Sequence, residues 1–209
     1  MSKIHFDGRL IDLDRIEGPI PSDAIASTLA RICRYNGTLR RDDWPVQWHS
    51  VADHSVLVSA LLGEFGHGPD VALAGLFHDA HEALVGDIIT PVKRWLGVAD
   101  REKDLEMRLL DHLGLRRELT PYDMATIKEV DKLALEIEVN ALGLPEHLFG
   151  VRRLPDASLS VVQSLCREIG VLQDVRSVPI AEVFTQSRER FLAMESKLLH
   201  QTQPSVRLA

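Results

Sequence analysis

"LAGLFHDAHEALVGDIITPVK", residues 73–93, begins as an apolar helix and then sets His78, Asp79, His81 and Glu82 within five positions. Residues three or four apart share one side of a helix, so the inward stripe is Val71, Ala74, His78, Glu82 and Val85, with Asp79 one step round the cylinder. Pro69-Asp70 is a good helix start, and the spacing predicts one helix from there toward Gly86. Two or three polar groups then face a core, which packing alone does not explain.

Two other stretches repeat the anomaly. A helix expected over 50–65 has the stripe Val51, His54, Val58, Leu61 and Phe65, and one over 121–143 has Ile127, Val130, Ala134, Ile137 and Ala141 with Asp131 at its border. Taken singly, an inward histidine is ordinarily a hydrogen-bonded core residue, and an acid at a stripe's edge ordinarily reaches solvent. Three helices doing this together point to a shared partner, because an isolated buried carboxylate is costly unless it is paired or binds a metal. His54, His78, Asp79 and Asp131 form a mixed nitrogen and oxygen set suited to a divalent transition metal, Mn, Co, Fe, Ni or Zn, with none favoured. Four protein ligands leave an octahedral ion open positions, the mark of a catalytic centre. "HDAHE" is neither His-Glu-x-x-His nor His-x-x-Glu-His, and the chain has no phosphate-binding Gly-Lys-Ser/Thr loop or Gly-x-Ser-x-Gly elbow.

The rest of the chain sets limits. Its 209 residues are 45% hydrophobic and 26% charged, enough for one aliphatic core, so a single domain over 1–209 is expected. Asp7-Gly8 between apolar flanks predicts a β-hairpin at about 3–13; the metal-site core should span about 22–143. Ser22 or Asp23 should cap a first helix ending near Gly37, and helices are expected at 99–114, 156–171 and 179–200, the last two completing the core or packing on another subunit. The fold class is all-α, a helical bundle with a short N-terminal hairpin. A formal charge of −7 gives no general attraction to nucleic-acid polymers or anionic membranes, while leaving room for a local basic pocket around a small phosphate ester. Cys33 and Cys166, far apart, suggest neither disulfide nor thiolate site; with no leader or 18-residue apolar run, a soluble cytoplasmic protein is expected.

These residues resemble the HD-domain metal-dependent phosphohydrolases: a histidine in "SVADHSVLV", the adjacent pair in "GLFHDAHEALVGD" and a distal aspartate in "IKEVDKLAL". "HDAHEALVGDIITPVK" is similar to the 5′-deoxynucleotidase branch, where His-Asp-x-x-Glu is followed by Gly-Asp and Thr-Pro-x-Lys, and compact HD-type deoxynucleoside triphosphate triphosphohydrolases share much of the pattern. The likeness spans about residues 25–140, and the HD-GYP phosphodiesterase motifs are absent. It implies an HD-domain bundle in which His54, His78, Asp79 and Asp131 hold the metal and an activated water attacks the 5′ (α) phosphorus of a deoxynucleotide. Homo-oligomers are common in the family, and Mg on the substrate phosphates is a further possible cofactor.

Glu82, four after His78 and three after Asp79, is the general acid/base candidate, its alternative being a solvated helix glutamate. The resemblance implies that Asp87 contacts the sugar 3′-hydroxyl, disfavouring a 2′-hydroxyl, and that Arg34 binds phosphate through a planar guanidinium. Tyr35 stands where the branch often has Trp and would stack on a base; Lys93 and the pair Arg40-Arg41 would neutralise further phosphate charge, or be merely solvated. His49 and His81 are surplus histidines, not expected to be ligands, with His81 a candidate to support one. The expected function is 5′-deoxynucleotidase, with triphosphohydrolase as the alternative and a catalytically silent nucleotide-binding domain as a second.

Overall fold

Asp7 and Gly8 carry positive φ, 48° and 72°, the dihedrals of a two-residue turn whose twist matches its strands. In the computed structural model, which describes residues 2–37, 48–172 and 178–202, β1 (Lys3–Phe6) and β2 (Arg9–Asp12) pair antiparallel, with Ile4 opposite Ile11. Phe6 and Ile11 point inward and join the main core. The other regular segments described are helical: α1 (Ser22–Leu29), α2 (Val51–Glu64), α3 (Pro69–Leu76), α4 (Glu82–Val85), α5 (Thr90–Leu96), α6 (Ala99–His112), α7 (Pro121–Ala141), α8 (Glu146–Phe149), α9 (Asp156–Glu168) and α10 (Ile180–Thr202), plus a 3₁₀ turn at Tyr35–Gly37. The all-α bundle with an N-terminal hairpin is thus the observed architecture. No helix among the described residues is long and apolar enough to cross a membrane.

Helix α2 is the centre of the bundle. Ser50 caps it by accepting the Asp53 N–H at 3.0 Å, and every residue from Val51 to Ser59 is buried. Helices α3, α7 and α10 pack around it. Gly75 permits the close approach of α3, since a Cβ there would run into Leu62 Cδ1. Helix α10 lies on α1, α2 and α3, with Phe191 buried and its ring edge-on to Phe77 at 5.1 Å between centroids. It completes the core of this chain.

An ionic lock fixes that docking. Asp53 of α2 is buried and accepts from Ser50 Oγ at 2.8 Å, Ser187 Oγ at 2.7 Å and Arg190 Nε at 2.9 Å. Arg190→Ala removes the only positive partner recorded for Asp53 among the described residues. Because Arg190 keeps some solvent access, the expected cost is about 2 kcal/mol, below that of a fully buried pair; an unchanged urea midpoint would show that the lock contributes nothing.

Two segments depart from the helical pattern. Helix α1 stops at Leu29 instead of continuing to Gly37. The chain leaves to pair with the entry of α2: Val51 N–H donates to Ile32 O at 3.0 Å and Arg34 N–H to His49 O at 2.9 Å. The expected cap by Ser22 or Asp23 is also displaced, because Pro21 occupies the cap position and Ser22 Oγ donates to Glu195. The 70–86 stretch is not one helix, since it breaks between α3 and α4 over Phe77–His81. There the backbone bonds run i to i+3, as in Ala80 N to Phe77 O at 2.9 Å and Glu82 N to Asp79 O at 2.9 Å. His78 Nδ1 takes the Gly75 carbonyl at 2.7 Å, the acceptor that a continuing helical turn would use.

Candidate metal centre

Histidine 54 projects from the middle of α2 and is fully buried. Its Nδ1 donates to Glu138 Oε1 at 2.6 Å, leaving Nε2 directed at Asp131 Oδ1, 3.0 Å away, and Asp79 Oδ2, 3.7 Å away. His78 is oriented by the same logic. With Nδ1 given to a carbonyl, which can only accept, its Nε2 lies 3.2 Å from Asp79 Oδ2 and 3.7 Å from Asp131 Oδ1. The break after α3 turns the His78-Asp79 pair toward α2 and α7, and the His54 and His78 rings stand 5.3 Å apart. The four residues singled out as a donor set are therefore neighbours in space, and ligand atoms of His54, His78 and Asp131 lie within 4.8 Å of one another.

Residues of this kind fit a divalent ion. His78 Nε2 is buried with no aligned hydrogen-bond partner, although two carboxylates stand beside it. Each imidazole has its far nitrogen anchored on a protein acceptor, the arrangement that aims the other nitrogen of a metal-binding histidine. Burial opposes protonation of His54, as does Arg34, yet Glu138 and Asp131 raise its pKa. His78 is raised further, against burial, by Asp79 and Asp131. Burial alone would raise Asp79 and Asp131, but the two imidazoles pull both below the ordinary carboxylate range. Two ionised carboxylates facing two nitrogens that compete for protons make a cluster that could hold a metal.

Glu82 begins α4 and is buried, and its Oε2 has no hydrogen-bond partner. The helix breaks before it, yet the i to i+3 bond from Glu82 N–H to Asp79 O at 2.9 Å keeps Glu82 beside Asp79. Burial, then the charges of Asp79 and Asp87, push its carboxyl well above the usual range. Asp87 follows Gly86, whose φ of 83° ends α4. Burial and Asp79 raise Asp87 while Arg34 and Lys93 oppose the rise.

Arg34 is nearly buried, with Nε donating to Glu138 Oε2 at 3.2 Å and NH1 3.9 Å from Asp79 Oδ2. Tyr35 follows at φ 58°, in the left-handed region that non-glycine residues seldom enter. Its hydroxyl donates to Glu138 Oε2 at 2.7 Å and its ring meets Phe149 edge-on. Lys93 sits in α5 and pairs with Glu102 Oε1 at 2.7 Å. Arg40 and Arg41 lie outside the described residues.

Two acids that carry the site were missed by sequence reasoning. Glu138, fully buried on α7, gathers His54, His49, Arg34 and Tyr35. Although burial raises its pKa, Arg34, His54 and His49 hold it well below the usual range. A signal existed: Glu138 lies seven residues after Asp131, two turns along the same face. Glu102 joins Lys93 to His81, whose Nε2 is 3.3 Å from Glu102 Oε1; three before Leu105 and seven before Leu109, it shares their stripe. His49 and His81, set aside as surplus, thus each meet one of these acids.

Fold and cluster together define a helical-bundle protein with a buried histidine and aspartate site able to hold a metal. No family model matches the chain. An uncharacterized protein of Rhodobacter capsulatus is 36% identical over 140 residues, covering 65% of this chain and 69% of that protein. The uncharacterized protein YfdR of Escherichia coli K12 is 32% identical over 146 residues, 69% of this chain and 74% of YfdR. The chain belongs to the family of these two proteins.

Proposed function

We propose that the protein is an HD-type metal-dependent phosphohydrolase of deoxynucleotides, acting as a 5′-deoxynucleotidase. The observation that carries this reading is the anchoring of both histidines through Nδ1, on Glu138 and on Gly75, with both Nε2 atoms turned to Asp79 and Asp131. When bound at these four residues, a divalent ion supplies Lewis-acid polarisation of the phosphate and acidifies water. Glu82, its buried carboxyl raised well above the usual range, protonates the leaving 5′ oxygen and is restored by the proton that the attacking water gives up. Arg34 orients the phosphate, and Asp87 accepts from the sugar 3′-hydroxyl.

A monophosphate is favoured over a triphosphate. Among the described residues, the positive side chains acting on both Glu82 and Asp87 are Arg34 and Lys93, and each already faces a carboxylate, Glu138 or Glu102. Tyr35 is held by Glu138 through its hydroxyl, and its ring, edge-on to Phe149, is the group that would stack on a base. Incubation of the purified protein with Mn²⁺ or Co²⁺ and either dAMP or dATP, followed by chromatography, is expected to give deoxyadenosine and phosphate from dAMP. Deoxyadenosine with intact triphosphate from dATP would instead establish the triphosphohydrolase, and no product from either would remove the enzyme reading. The same reading makes the partner a small deoxynucleotide, and a homo-oligomer in the cytoplasm is the setting we assign to it.

A further inference from the structure

We propose that Glu138 is the positioning residue that orients the metal-ligating His54 and the phosphate-binding Arg34 as one unit; those two roles rest on the phosphohydrolase reading. A carboxylate offers about four lone-pair directions, and here four donors take them. Oε1 accepts from His54 Nδ1 at 2.6 Å and His49 Nε2 at 2.9 Å; Oε2 accepts from Tyr35 OH at 2.7 Å and Arg34 Nε at 3.2 Å. The side chain is wholly shielded from water, so these bonds have no solvent competitor.

The geometry has two consequences. An acceptor on Nδ1 fixes the His54 tautomer that presents the Nε2 lone pair toward Asp131 and Asp79. An acceptor on the Arg34 Nε fixes the guanidinium plane with NH1 turned toward Asp79. Glu138 belongs to α7, the helix that also carries Asp131. The spacing between ligand and phosphate clamp is thereby set by one rigid element and one carboxylate. His49 and Tyr35 occupy the remaining lone pairs.

Glu138→Gln keeps the volume and removes the charge. Calorimetric titration of the chelator-treated protein with Co²⁺ alone should show affinity reduced about 10- to 100-fold, and inhibition of the Co²⁺-loaded protein by inorganic phosphate should weaken roughly 10-fold. Tyr35→Phe removes one donor, leaves the charge and both bonds that matter, and should change Co²⁺ affinity less than about threefold. Equal losses in the two variants would reveal general loosening and overturn the proposal, as would wild-type affinity in Glu138→Gln. If Glu138→Gln does not fold, nitrogen-15 histidine spectra of the Zn²⁺-loaded wild-type protein decide. His54 protonated on Nδ1 supports the role, and protonation on Nε2 overturns it. A protein that binds Co²⁺ through this network but hydrolyses no deoxynucleotide removes the phosphohydrolase reading while leaving the His54 arm in place. Intact hydrolysis with undiminished Co²⁺ affinity in Glu138→Gln removes only the role of Glu138.

Discussion

Glu82→Ala is expected to lower kcat for dAMP hydrolysis by on the order of 10²- to 10⁴-fold, the usual contribution of a positioned acid or base, while leaving Co²⁺ affinity within about twofold. The separation follows from geometry. The atoms that converge belong to His54, His78, Asp79 and Asp131, whereas Glu82 stands beside them with a buried, unpartnered oxygen. Its carboxyl is kept protonated more readily than an ordinary glutamate by burial and by Asp79 and Asp87, which suits delivery of a proton to a departing alkoxide. Turnover that survives the substitution would assign proton transfer elsewhere. Lost ion binding would make Glu82 a ligand, since it also has His81 and Glu102 within reach.

Asp79→Ala should remove both ion binding and turnover. Asp79 Oδ2 is 3.2 Å from His78 Nε2 and 3.7 Å from His54 Nε2, so it is the carboxylate common to both rings at close range along with Asp131. A ligand that binds only the folded state stabilises it by RT ln(1 + [L]/Kd), about 2.7 kcal/mol at a hundredfold excess over Kd. Mn²⁺ is therefore expected to raise the Tm of the wild-type protein reversibly, with the rise abolished by chelator, and to leave the Asp79→Ala protein unmoved. The shift should also shrink as the pH falls, because protons and the ion compete for the two Nε2 atoms. An equal Tm rise in the variant would place the ion elsewhere.

Much of this arrangement is legible before folding is considered. His54 sits on the apolar stripe of α2 and Asp131 borders that of α7, and both helices form within two residues of their expected bounds. Helical period is a local property, so a polar residue on the wrong face is visible from its neighbours alone. Asp7-Gly8 is legible for the same reason, since positive φ at two adjacent residues is a demand made by a turn, not by its surroundings.

The 77–81 break is less legible, because "LFHDAHEALV" has the composition of a continuing helix. What ends α3 is a side chain, His78, taking the Gly75 carbonyl, together with the packing of Phe77 on Phe191 more than a hundred residues away. Glu138 is hidden more deeply. In "LALEIEVNALG" it differs little from Glu136, whose carboxylate meets the exposed Arg152 N–H at 3.0 Å. A shift of two helix positions turns a surface contact into a buried hub.

Sequence alone determined the helical class, the hairpin and the residue types able to share a cation, because periodicity and turn chemistry act over a few residues. Only the tertiary structure decided which nitrogen of each histidine faces inward and which acid aims it. Those choices depend on Glu138 meeting His54 from 84 residues away and Arg34 from 104, and no local pattern records a hydrogen bond made across the bundle.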